Sequence, residues 1–161
     1  MKHSFIKYDN LIFSPNDVDL SHSPLREGLK GRTYVLGAFN PGLSRLPNGN
    51  LIMMVRVAEA LKNPVNKNHA QCVRWDINNG YVLDSWPFSE VNMQDPRKFR
   101  INAYHFPVFA LTSLSWLLPV ELNNDGSSVV NIQYDIIISP EYSSQEYGIE
   151  DPRISFIDGR Y

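Results

Sequence analysis

The residues best equipped for chemistry stand together at Glu150-Asp151-Pro152-Arg153. A carboxyl group acts as a general acid when it holds its proton near neutrality, which needs a pKa well above the ordinary value of about 3.9. A neighbouring carboxylate and partial burial both push it that way. Pro152 disfavours the helical region for Asp151 and predicts an extended backbone there, presenting the carboxylate in a fixed direction. The plainer alternative is an Asp151–Arg153 brace at the start of a strand. A second Asp-Pro-Arg, at Asp95-Pro96-Arg97, shows that the tripeptide alone is not diagnostic.

Two further clusters carry polar groups in unusual settings. In Gly37-Ala38-Phe39-Asn40-Pro41-Gly42, the proline predicts an extended Asn40 whose amide is held outward as a rigid donor and acceptor. An ordinary Asn-Pro-Gly turn is the alternative. Arg56 interrupts the apolar run Met53-Met54-Val55-Arg56-Val57. A guanidinium among core residues must meet a carboxylate, an anion or solvent, and Glu59 is one candidate partner.

Other chemistries lack their residues. His3, His22, His69 and His105 have no ligand spacing, so no metal site is expected. Cys72 sits in Gln71-Cys72-Val73-Arg74-Trp75 and reads as a buried small hydrophobe. No nucleophile elbow, phosphate-cradling glycine loop or dinucleotide fingerprint is present.

The elements that must position these clusters read as strands joined by tight turns. Pro47-Asn48-Gly49-Asn50, Asn78-Asn79-Gly80, Asn124-Asp125-Gly126 and Asp158-Gly159 are places where positive φ is cheap. Between them lie runs rich in β-branched and aromatic residues: 33–36, 51–57, 72–75, 129–136 and 154–157. Ile132, Tyr134 and Ile136 are expected on one face, Gln133 and Asp135 on the other. Residues 55–62 could make a turn or two of helix or finish a strand. Eleven prolines weigh against long helices. Residues 85–121, with Trp86, Phe88, Phe99, Tyr104, Phe106, Phe109 and Trp116, are expected to be irregular, packing their own rings or walling a groove.

The chain's 161 residues, 43% of them hydrophobic, suffice for one core and speak against disorder. A formal charge of -2 gives no electrostatic footprint for nucleic acid. No apolar run reaches the length of a membrane span, and the amino terminus lacks a signal-peptide apolar stretch, so a cytoplasmic protein is expected. The carboxyl end begins a returning strand after Asp158-Gly159 without completing it, which suggests an amino-terminal fragment.

In this order the clusters Phe39-Asn40-Pro41-Gly42, Leu51–Val57 and Gly148-Ile149-Glu150-Asp151-Pro152-Arg153-Ile154 resemble glycoside hydrolase family 130, the mannoside phosphorylases and related β-mannosidases. The resemblance implies an all-β fold, a five-bladed β-propeller. Residues 1–161 would be one incomplete domain holding the first blades, and 85–121 an insertion. It implies Asp151 as the catalytic acid, with Asn40 and Arg56 lining the mannose subsite and Glu150 facing the same cleft. The substrate would be a β-mannoside oligosaccharide, and the mechanism inverting. Cofactors are not expected, although inorganic phosphate would be the co-substrate of a phosphorylase. The full-length protein could form a homo-oligomer, and the chain alone is expected to be inactive. Where the family often reads Arg-Val-Glu, this chain reads Arg56-Val57-Ala58-Glu59, leaving the role of Glu59 open. The family's phosphate-binding basic residues lie downstream of the Glu-Asp-Pro-Arg motif, outside this chain. The competing readings are a non-catalytic sugar-binding propeller, with Trp75, Trp86, Tyr104 and Trp116 stacking on sugars, and another five-bladed glycosidase family.

Overall fold

The computed structural model describes residues 9–102 and 104–160; His3, named above, lies outside the described residues. The long apolar runs become two long strands, β1 (Thr33–Arg45) and β2 (Leu51–Leu61), joined by the Pro47–Asn50 turn with Gly49 at φ 90°. Residues 55–62, left open between helix and strand, finish β2 up to Leu61. There follow β3 (Val65–Asn66), β4 (His69–Asp76), β5 (Gly80–Pro87), β6 (Val91–Asp95), β7 (Lys98–Ile101), β8 (Val108–Leu111), β9 (Ser113–Leu122) and β10 (Val129–Ile132). A single four-residue helix, α1 (Arg26–Leu29), and several 3-10 turns complete the described residues.

The strands form three antiparallel sheets, ordered β1-β2-β9-β10, β3-β4-β5 and β6-β7-β8. The stretch 85–121 is therefore not irregular. It completes β5, forms the third sheet and supplies β9, which pairs with β2 from Leu51–Leu122 to Ala60–Ser113. Short alternating strands such as Lys98–Ile101, with Phe99 and Ile101 buried, are easily lost among aromatics when read by composition. Two other expected strands are corrected. Residues 129–136 stop being strand at Ile132 and turn into a 3-10 segment, Tyr134–Ile136, because the chain leaves the ladder after Gln133 bonds Pro119. Ile136 is exposed rather than sharing a buried face with Ile132 and Tyr134. Residues 154–157 form only an Ile157–Arg160 bridge across the Asp158-Gly159 turn, whose φ angles are 48° and 81°.

Membership of the main core, rather than burial itself, follows the two-residue period along β2 and β9. Val55 and Val57 of β2 and Leu114, Trp116, Leu118 and Val120 of β9 pack with Leu25, Leu29 and Val73 into the main core. Each such side chain contributes about 1.5–3 kcal/mol by leaving water. A second, smaller core joins Ala70 and Cys72 of β4 to Phe99, Ile101 and Ala110, with Trp86 against it. Cys72 is buried there as expected, and burial pushes its thiol up to about 12. Trp86, Phe99 and Trp116 thus pack inward, while Tyr104, Phe106 and Phe109 stay exposed.

Candidate active site

Arg56 lies on the face of the main sheet opposite the core. Directly opposite residues in an antiparallel pair share a face, so Arg56 stands beside Phe39 of β1 and Leu117 of β9, with Ser115 on the diagonal. Its guanidinium sits 5.0 Å from the Phe39 ring centroid, and its Nε donates to Ser115 Oγ at 3.0 Å. Glu59 is three residues along a two-residue period, hence on the core face. There it is 1% exposed and accepts from Ser23 Oγ and Thr33 Oγ1 at 2.5 Å and from Trp116 Nε1 at 3.1 Å. The Arg56–Glu59 pair considered from sequence is not formed.

The loop carrying Glu150 and Asp151 reaches Arg56 along the edge of β9. After β10 the chain stays beside that strand: Ile138 bridges Leu117, and Gly148 makes a parallel bridge with Ser115. Gly148 has φ 103°, and a Cβ there would lie 2.1 Å from the Ser115 carbonyl oxygen, so no larger residue permits this approach. On the other side, Gly42 admits Pro152; a Cβ at Gly42 would meet the Pro152 carbonyl oxygen at 2.8 Å. These two glycines let the loop lie between β9 and β1.

The four residues expected at the site are brought together. Arg56 Nη2 donates to Glu150 Oε1 at 2.5 Å, and Nη1 lies 3.5 Å from Asp151 Oδ1. Asn40 Nδ2 donates to the same Asp151 oxygen at 3.0 Å. Asn40 sits where the β1–β2 register slips between Phe39 and Gly42, an extra residue that re-aims its side chain. The expected extended backbone is overturned at both pre-proline residues: Asn40 has φ 46° and Asp151 φ 47°. Asn and Asp tolerate this left-handed region best among residues with a side chain, and their mutual hydrogen bond helps to hold both there.

The Asp151–Arg153 brace does not form. Arg153 Nη1 donates instead to the Pro152 carbonyl oxygen at 2.8 Å. The second tripeptide does what the first does not: Arg97 grips Asp95 with Nε–Oδ1 at 3.0 Å and Nη2–Oδ2 at 2.9 Å. That grip holds the Asp95 carboxyl down at about 2.

The expected raised acid is also corrected. The Asn40 amide, aided by the charges of Arg56 and Arg153, holds the Asp151 carboxyl below its ordinary value. Loss of water around the carboxylate opposes them without prevailing, its side chain being 57% exposed. Asp151 is nonetheless not spent on bulk water alone. Beside it opens a hollow of about 410 Å³ lined by Asn40, Pro41, Gly42, Leu43, Asp151, Arg153 and Ile154. That volume suits a small polar ligand. Trp116, a candidate sugar platform, is fully buried and unavailable. Sequence reasoning missed Phe39 as the ring under Arg56 and Ser115 as its anchor; period-two pairing of β1, β2 and β9 was the signal for both.

No protein-family model matches this chain, and no curated protein matches it. Among solved structures it is similar to the beta-1,2-mannobiose phosphorylase from Listeria innocua in complex with beta-1,2-mannobiose, at 25% identity and TM-score 0.68. The likeness covers 90% of this chain, which spans 38% of that one.

Proposed function

Taking as premise the chain's resemblance to the mannoside phosphorylases of glycoside hydrolase family 130, which that structural likeness supports, we propose that this chain is the mannose-binding portion of an inverting β-mannoside-active enzyme. Asp151 is its acid; Asn40, Arg56 and Glu150 hold the sugar. The observation that carries this reading is the convergence of residues 40, 56 and 150–151 from three places in the chain into one hydrogen-bonded cluster, of which Asn40 and Asp151 line an open hollow. A covering sugar would strip water from Asp151 and oppose the lowering seen in the open site. Protonation of the departing oxygen then accompanies attack on the anomeric carbon from the opposite face, by phosphate in a phosphorylase or by water in a hydrolase. The four-stranded sheet β1-β2-β9-β10 has the strand number of one propeller blade. A five-bladed propeller needs about twenty strands, and the described residues hold ten. The chain alone should therefore bind without turning over.

The lowered Asp151 carboxyl favours a second reading, a non-catalytic sugar-binding module whose carboxylate only accepts hydrogen bonds from hydroxyls. Calorimetry of this chain with β-1,2-mannobiose tests the shared part: absence of binding counts against both. Turnover of the same disaccharide by the full-length protein, with and without phosphate, separates them. Asp151→Asn should abolish release of mannose or mannose 1-phosphate while leaving sugar binding largely intact; undiminished release removes Asp151 from the chemistry.

A further inference from the structure

Ser115 occupies a place that no other residue of the site shares. Its side chain holds the cation: Oγ accepts from Arg56 Nε at 3.0 Å. Its main chain holds the carboxylate loop: the carbonyl accepts from Ile149 N at 2.9 Å, and its own N–H donates to the Tyr147 carbonyl at 3.3 Å. Gly148 presses against it closely enough to exclude any Cβ. Ser115 itself is 3% exposed, so it cannot touch a ligand in the hollow.

A guanidinium on a long side chain has rotational freedom that must be removed before it can present fixed donors. In Arg56 the Nη atoms face Glu150 and Asp151, both half-exposed and on a loop, so these contacts alone tie one mobile group to another. The Phe39 ring of β1 stacks against the guanidinium without fixing the direction of its donors. The Nε contact is the hydrogen bond that ties it to a buried strand, and the same strand residue carries the loop. We propose that Ser115 is a positioning residue which sets the distance between Arg56 and the Glu150–Asp151 carboxylates, and through it the affinity for the sugar. This rests on the reading of those residues as the sugar-binding set.

The test uses the chain with Ser115→Ala and Ser115→Cys, the second keeping the volume while offering only a weak sulfur acceptor. Without any ligand, the Arg56 Nε–Hε resonance should exchange slowly with water in the parent and lose that protection in both variants. Affinity for β-1,2-mannobiose should fall by roughly 10-fold or more, the size of one lost hydrogen bond to a charged group. In an Arg56→Lys background, which has no Nε–H, Ser115→Cys should cost nothing further, because the two changes remove one contact. Unchanged exchange at Arg56, or a full additive loss in the Arg56→Lys background, overturns the proposal. Absence of sugar binding by the parent chain overturns the functional reading instead, and the exchange measurement still decides the role of Ser115. Should Ser115→Ala fail to fold, the isosteric cysteine variant carries the same comparison.

Discussion

Asn40 donates its side-chain amide to Asp151 across 3.0 Å, and each of the two residues takes a positive φ immediately before a proline. The pair joins a bulge in one strand to a loop more than a hundred residues later. Two changes separate its conformational and hydrogen-bonding parts. Asn40→Ala should let the Asp151 carboxyl rise towards its ordinary value and also carry the backbone strain, about 1 kcal/mol. Asn40→Gly should raise the same carboxyl without that strain. Carbon-13 titration of Asp151 and urea unfolding of both variants check this; an unmoved Asp151 midpoint would sink it.

The sign of the pH effect follows from the direction. A carboxyl lowered in the folded state favours folding above the unfolded-state pKa, and that contribution is lost as pH falls through its folded value. The Asn40–Asp151–Arg56 contact should therefore hold at neutral pH and through the ordinary carboxylate range, and loosen only in stronger acid. Chemical shifts of the Asn40 side-chain amide against pH report it directly.

Two copies of one tripeptide should respond unequally to loss of their arginines. Arg97→Ala should bring Asp95 up from about 2 to the ordinary range, since Arg97 is the main cause of its lowering. Arg153→Ala should move Asp151 much less, because Asn40 is the larger cause there. Paired titrations of the two aspartates give the answer.

Gly148→Ala should be severe. A Cβ 2.1 Å from the Ser115 carbonyl oxygen forces the loop off β9, at a cost of about 3 kcal/mol or more. Gly42→Ala should act at the opposite side of the loop by displacing Pro152. Both ought to weaken sugar binding together with stability, as a denaturation series combined with calorimetry will show.

Glu59→Ala should be among the most destabilising single changes, by about 3 kcal/mol or more. It leaves the Trp116 indole N–H and the Ser23 and Thr33 hydroxyls without their acceptor inside the core. Glu59→Gln keeps one acceptor oxygen and should cost less. A midpoint for Glu59→Ala equal to the parent's would contradict the structural role assigned to this carboxylate.

The site was more legible than the frame around it. Asn40, Arg56, Glu150 and Asp151 could be picked out because each is a polar group in an improbable setting: before a proline, or amid apolar neighbours. Their backbone was not legible, since the pre-proline preference for extended geometry yielded at Asn40 and Asp151 to a bulge and a mutual hydrogen bond that only the fold supplies. The location of Glu59 was available in principle, because three steps from Arg56 on a strand reverse the face. β9 was hidden for a different reason. Leu114–Leu118 is buried on both faces and shows no alternation, and its partner β2 is remote in the chain.

Residues 62–112 leave and re-enter the main sheet at one point, where Leu61 N donates to the Thr112 carbonyl at 2.9 Å. Such a clasp makes the excursion between β2 and β9 a cassette. Closing a longer or shorter detour changes the entropic penalty only slowly with its length. The detour can thus change length at small entropic cost while the ladder beneath Arg56 keeps its alignment, provided that β4 still delivers Val73 to the main core.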